Sequence, residues 1–199
     1  MPQFDLRGIK AAKYVNTNGV ITYTDAQTVG DAMNVNLELR FAEGRLYAES
    51  TLAEYMRKAV GGTISIGVKY IPSAAQIMMF NSRSNSRSIT YTPEGGTSTT
   101  VSAAGLVIGR KTTSAYVGVA FYAPDMVDGV EKYTCVKIAR ALFGPPSMTL
   151  QTAGESITFN TPTVSGEFMA DDSANGDLIE VAIVDDEEAA IAWVTAVLA

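Results

Sequence analysis

The 199-residue chain contains no histidine, and its only cysteine is Cys135. Without an imidazole there is no Ser-His-Asp or Cys-His catalysis and no histidine-ligated metal centre. A single thiol builds neither a disulfide framework nor a thiolate zinc site, and it fits a reducing compartment. Cations are also in short supply. The 15 Lys and Arg against 21 Asp and Glu leave a formal charge of −6, the wrong sign for broad binding of nucleic-acid phosphates. No apolar run approaches the roughly 20 residues of a membrane span. The opening Met1-Pro2-Gln3-Phe4-Asp5 has no basic stretch ahead of an apolar one, so no secretory signal is expected. There is no Asn-x-Ser/Thr sequon either. These absences predict a soluble chain made in a cytoplasm.

Core material is plentiful by contrast. Hydrophobic residues make up 47% and charged ones 18%, enough for one domain over 1–199 and too apolar for general disorder. Thr, Val, Ile, Tyr and Gly are abundant and long helix-forming runs are few, which predicts a mainly β fold with one or two short helices.

The stretch 31–71 is the expected central sheet. Met33, Val35, Leu37, Leu39 and Phe41 share one parity, and Asn34, Asn36, Glu38 and Arg40 the other. Ile64, Ile66, Val68 and Tyr70 likewise oppose Thr63, Ser65, Gly67 and Lys69. Alternation of this kind gives each strand one oily and one wet face. Ala42-Glu43-Gly44 reads as a first bend, and Gly61-Gly62 as a tight hairpin turn after a segment from Leu52 to Val60.

Elsewhere, Gly8–Val15 and Val20–Thr24 read as strands joined at Asn16–Gly19. Pro72–Phe80 reads as a short helix, apolar nearly all round. The polar stretch 81–100 reads as a long loop or loose hairpin, and Val101–Ile108 as either a strand or a helical turn. Ala115–Tyr122 and Val130–Leu142 predict a hairpin across Pro124–Gly129, stopped by Gly144-Pro145-Pro146. Ser156–Ala170 reads as a strand with a bulge at Pro162. A terminal helix or arm is expected within 185–199, with Asp185 and Glu188 as a capping-box variant and Ile191, Val194 and Leu198 on one stripe beside Trp193.

No motif supplies chemistry. Gly105 to Thr112 lacks the four-residue gap and the lysine directly after the second glycine of a phosphate-binding loop. Asp171-x-Ser173-x-Asn175-Gly176 begins like a calcium loop, but Ala182 stands where the bidentate acid belongs. A carboxylate-only enzyme has no supporting spacing. Nothing asks for an enzyme, a cofactor or a metal.

The order of segments carries a resemblance. Gly8-Ile9-Lys10-Ala11-Ala12-Lys13-Tyr14 at the start is part of it, as is Leu46-Tyr47-Ala48-Glu49-Ser50 before Leu52–Ala59 and Gly61-Gly62. A strand ending Val68–Pro72 with its short helix, Ser156-Ile157-Thr158-Phe159 and a terminal segment with Trp193 complete it. Together these resemble the major tail proteins, the tail tube subunits, of long-tailed, siphovirus-type phages and prophages. The resemblance implies a β-sandwich or half-barrel with a flanking helix, a long loop and terminal arms. It implies homo-oligomeric rings, commonly hexameric, stacked into a virion tail tube after assembly in the host cytoplasm. Tape-measure and tail completion proteins would be partners, with DNA passing the lumen unbound and no membrane involved. Asn36, Glu38, Thr63 and Ser65 are then the expected lumen row, with Arg40, Lys58 and Lys69 as discordant cations. Arg83, Arg87 and Tyr91 would lie in an inter-ring loop. Two related readings stay open: a tube from a contractile injection system, and a β-sandwich binding or decoration module with Tyr116, Tyr122 and Tyr133 on a groove.

Overall fold

A computed structural model describes residues 5–48, 51–127, 129–147 and 161–199. β1 (Arg7–Thr17) and β2 (Val20–Thr28) form the expected first hairpin. Its turn places Asn18 and Gly19 at positive φ, and the Asn16 side chain accepts from the Gly19 N–H at 2.9 Å. β3 (Ala32–Ala48), β4 (Thr51–Val68) and α1 (Ser73–Phe80) follow, then β5 (Arg83–Tyr91) and β6 (Thr99–Val107). β7 (Tyr116–Val127), β8 (Val130–Phe143), β9 (Thr163–Met169), β10 (Ile179–Val184) and α2 (Glu187–Ala196) complete the chain. The fold is mainly β, as expected. Among the described residues, no helix is long and apolar enough to cross a membrane.

Eight strands form one antiparallel sheet in the order β2-β1-β7-β8-β9-β4-β3, with β10 added to β8. β10 and β9 share one edge of β8 in tandem, β10 along Tyr133–Ile138 and β9 along Arg140–Phe143. The sheet has to curl. β2 and β3 lie at opposite ends of the path, about 29 Å apart if seven strands lay flat. Yet the chain crosses from Thr28 to Ala32 in a span of at most about 14 Å. Backbone bonds hold that closure, from Val29 N–H to Ile9 O at 3.1 Å and from Lys69 N–H to Asp31 O at 3.0 Å. Among the described residues the end strands do not pair, so the sheet stays open.

Ala75, Met78, Met79 and Phe80 of α1 pack into the same core as Ile64, Ile66, Val68, Val119, Ile138 and Phe168 from the sheet. The other face, over β1, β7 and β8, carries Ala12, Tyr14, Ala120, Tyr122 and Cys135 under Ala190, Val194 and Leu198 from α2. Adjacent residues divide cleanly between the faces, Ala11 to the first core and Ala12 to the second.

Several expectations are corrected. Gly61-Gly62 is no hairpin turn; both residues lie inside β4, whose pairing with β3 continues to Ala48↔Thr51. Between Arg40↔Gly61 and Phe41↔Ala59, Val60 is an extra residue, and Gly61 takes φ +145° at this bulge. The glycines serve close approach: a Cβ on Gly62 would meet the Glu38 carbonyl and the Phe168 ring. Ala42-Glu43-Gly44 is not a bend and runs straight through β3.

The stretch 81–100 is the hairpin rather than the long loop, since β5 pairs with β6 from Arg83↔Val107 to Tyr91↔Thr99. Of the stretch Val101–Ile108, the part up to Val107 is accordingly strand, within β6. β7 runs on through Pro124 to Val127, which is tolerated because past Tyr122 its second neighbour, β1, has ended. α2 is capped by Asp186, whose carboxylate accepts from the Ala189 N–H at 2.7 Å. Asp185 instead meets Lys132 Nζ at 2.9 Å. The buried stripe is Ala190, Val194 and Leu198, and Ile191 is exposed. β10 was not expected at all. Ile157, Phe159 and the start of the Ser156–Ala170 strand lie outside the described residues.

Candidate functional site

The four expected wall residues come together on one face. Asn36 stands opposite Ser65, and Glu38 opposite Thr63, as direct partners of β3 and β4. β9 extends both rows, with Ser165 opposite Ser65 and Glu167 opposite Thr63. Ser65 and Ser165 exchange a hydroxyl hydrogen bond at 3.3 Å. Asn34 Oδ1 accepts from the Gly67 N–H at 3.0 Å, in space that a side chain on residue 67 would fill. The backs of the same strands carry Ile64, Ile66, Val164 and Phe168, all buried. The result is a three-stranded polar wall.

Its position follows from α2. That helix covers the outer face over β1, β7 and β8, whereas among the described residues no helix lies on the outer face of β9, β4 and β3. The polar rows therefore remain open to water. Ser165 and Glu167 were missed in the sequence, although they alternate with Val164, Gly166 and Phe168. The signal is this alternation, which sets Ser165 and Glu167 on the face opposite Val164 and Phe168.

Cations on this side are mostly answered. Arg40 lies 3.3 Å from Glu167, and Lys69 lies 4.0 Å from Asp31. Lys58 sits further out, opposite Ala42 on the ribbon.

Beyond the bulge, β3 and β4 continue as a two-stranded ribbon. One side is laced by Arg57 over the Phe41 ring at 3.8 Å, Arg45 over Tyr55 at 5.6 Å, and Arg57 with Glu43 at 3.4 Å. The other side carries Ala42, Gly44 and Leu46 opposite Lys58, Met56 and Glu54, with Leu46 and Met56 strongly exposed. The outer edge of β3 is unpaired among the described residues.

Arg83, Arg87 and Tyr91 also fall on one face, that of β5, and are exposed. The opposite side of the hairpin is a hydroxyl ladder, with Ser86 and Ser102 at 2.8 Å and Thr90 and Thr100 at 2.9 Å. A cleft of about 440 Å³ opens at the hairpin base, lined by Asn81, Arg83, Lys111 and Thr112.

Several titratable groups outside the wall are engaged within the fold. Asp172 accepts from Asn16 Nδ2 at 2.9 Å, Tyr14 OH at 3.1 Å and Arg140 Nη1 at 2.7 Å. These bonds, with Asn16 and Tyr14 foremost, hold its carboxyl below the usual range. Arg140 is stacked between Tyr116 at 4.2 Å and Tyr14 at 5.2 Å. Glu187 is held low mainly by Arg7 and then by Tyr122, which ties the start of α2 to β1. Burial pushes the Cys135 thiol up, the environment of an unreactive strand residue. Asp171 Oδ1 accepts from the Ser173 N–H, the Ser173 hydroxyl and the Asp177 N–H, so it closes an acidic turn.

No family model and no curated protein matches this chain. Among the described residues, no cluster of His, Cys, Asp or Glu is arranged to hold a metal ion. Of the groove tyrosines considered above, Tyr122 is buried beneath α2, Tyr133 packs edge-on against it at 6.2 Å, and Tyr116 is stacked on Arg140. They line no common groove.

Proposed function

We propose that this chain is the repeating subunit of a tube, in which rings of copies, commonly six, stack around a water-filled lumen that conducts DNA, as in a long-tailed phage tail. The observation that carries the reading is the polar wall of β3, β4 and β9, which among the described residues is covered by no helix and is continuous with an unpaired edge of β3. A 17-residue open edge is a hazard for a monomer. Pairing such edges around a closed ring removes them, and places the polar rows on the inside surface.

The chemistry of the wall suits passage rather than binding. Hydroxyls and amides dominate it, Arg40 is paired with Glu167, and the chain as a whole is negative. Duplex DNA would find no array of free cations to replace its counterions. The role is structural and needs no catalytic group or cofactor. Tape-measure and tail completion proteins are the further partners, and the virion tail is the site of action.

Negative-stain microscopy of the purified protein is the test. Rings or tubes with a stain-filled channel are the expected result. A strictly monomeric species at high concentration, even with its partner proteins present, would refute the reading.

A further inference from the structure

The β5–β6 hairpin is a separate two-stranded sheet, and every residue of β5 is exposed. Two strands alone are at best marginally stable in water, so a hairpin of this kind gains from a covering surface. Its two faces differ. The hydroxyl ladder bounds a cleft of about 330 Å³ shared with Ser73 and Ile77 at α1. The other face carries Arg83, Arg87, Ile89 and Tyr91 from β5 and Val101 from β6, with Ile89 47%, Tyr91 50% and Val101 41% exposed. This face is both apolar and cationic. Arg83, Arg87, Arg110 and Lys111 make no ion pair among the described residues, whereas Lys132, Lys137 and Arg140 on β8 each meet a carboxylate.

The complement lies on the same chain. β10 pairs only with β8, which leaves its outer edge open among the described residues. Val181 and Ile183 share one face of that strand and are 59% and 57% exposed. From Asp171 to Glu188 there is no lysine or arginine, and the Asp177 and Glu188 carboxylates have no ion pair among the described residues. The hairpin is basic toward its base, at Arg83 and Arg87, and apolar toward its tip, at Ile89, Tyr91 and Val101. β10 is apolar at Val181 and Ile183 and runs into the acidic stretch Asp185–Glu188. The two edges thus match end for end.

We propose that the β5–β6 hairpin of one copy docks on the open edge of β10 in a second copy of this chain. Ile89 and Tyr91 of β5 then lie beside Ile183 and Val181, and Arg87 and Arg83 run along the acidic stretch that follows β10, where Glu188 has no ion pair among the described residues. The main-chain groups of the two free edges pair by strand addition. Donor and acceptor are different surfaces, so the contact is head-to-tail and propagates, which is what stacked rings require. The inference rests on the tube reading and adds to it the acceptor surface.

Paired variants test it by sedimentation velocity. R83E/R87E spoils the donor, and V181K/I183K spoils the acceptor. Both sets of side chains are exposed, and each variant should keep the wild-type circular dichroism spectrum. Either variant alone should lose long assemblies, with end-to-end association weakened at least about tenfold. Mixed together, they should form terminated complexes, since each supplies the half that the other lacks. Independently, I89C with I183C in one chain should give a ladder of disulfide-linked copies on oxidation, and Cys135, being buried, should contribute none. Wild-type tubes with unaffected variant tubes, or an absent ladder, would overturn the docking contact and leave the tube reading standing. A monomeric wild type would overturn both.

Discussion

At the scale of residues, the decisive contrast is between Ile66 and its neighbour Ser65. Ile66 is fully buried against α1 and the back of the sheet, while Ser65 meets Ser165 across the wall. An aspartate at residue 66 would place a charge in that core without a partner. I66D should cost on the order of 4 kcal/mol or more and remove the cooperative thermal transition seen by circular dichroism. Asp172 gives a prediction in pH. Its folded pKa is depressed, so its contribution is fully present above the unfolded value of about 4 and is lost as pH falls through the lower folded value. D172N should therefore lower the Tm at neutral pH, and the gap to wild type should close as both are acidified towards pH of about 2. A gap independent of pH would mean that the carboxylate is not held by Asn16, Tyr14 and Arg140 in its charged form.

At the scale of elements, α2 matters twice. It completes the second core through Ala190, Val194 and Leu198, and its limited reach leaves the outer face of β3, β4 and β9 wet. Asp186 starts it by accepting from Ala189 N–H. Loss of that cap in D186A should cost about 1 kcal/mol in denaturant unfolding, with the slope unchanged. The β3–β4 pair carries the other lesson. Gly61 and Gly62 look like a turn because glycine in a strand is unusual, yet here the pair lets Phe168 and the Glu38 carbonyl approach β4 at a bulge. A turn and a bulge both ask for glycine, and only the partner strand tells them apart.

At the scale of the molecule, the charge on the wall is the property to change. Glu38 and Glu167 are exposed on the polar rows, and Glu167 pairs with the exposed Arg40. E38K/E167K should fold and assemble like wild type, but its assemblies should retain duplex DNA in a way that weakens steeply with salt. Filter binding at two ionic strengths measures this. Retention equal to wild type would mean that these rows do not line the DNA path.

Much of the local architecture was already legible in the sequence. Alternating parity in 31–41 and 63–70 marks β3 and β4 with their wet and oily faces, and the proline-led run at 72–80 marks α1. The lack of histidine removes whole classes of catalysis. Such features depend on neighbours one to four residues apart, and so are written in order along the chain. Other features depend on partners far away in sequence. The hairpin in 81–100 needs Arg83 to find Val107, and β10 needs the free edge of β8 beside β9. Asp185 looks like a cap until Lys132 claims it. Tertiary structure alone decided that the sheet curls around α1, that α2 covers only one half of its outer face, and that Ser165 and Glu167 complete the wall begun by Asn36, Glu38, Thr63 and Ser65. The reason is physical: burial and edge pairing are set by what the rest of the chain brings alongside a strand, and a strand's own residues do not record it.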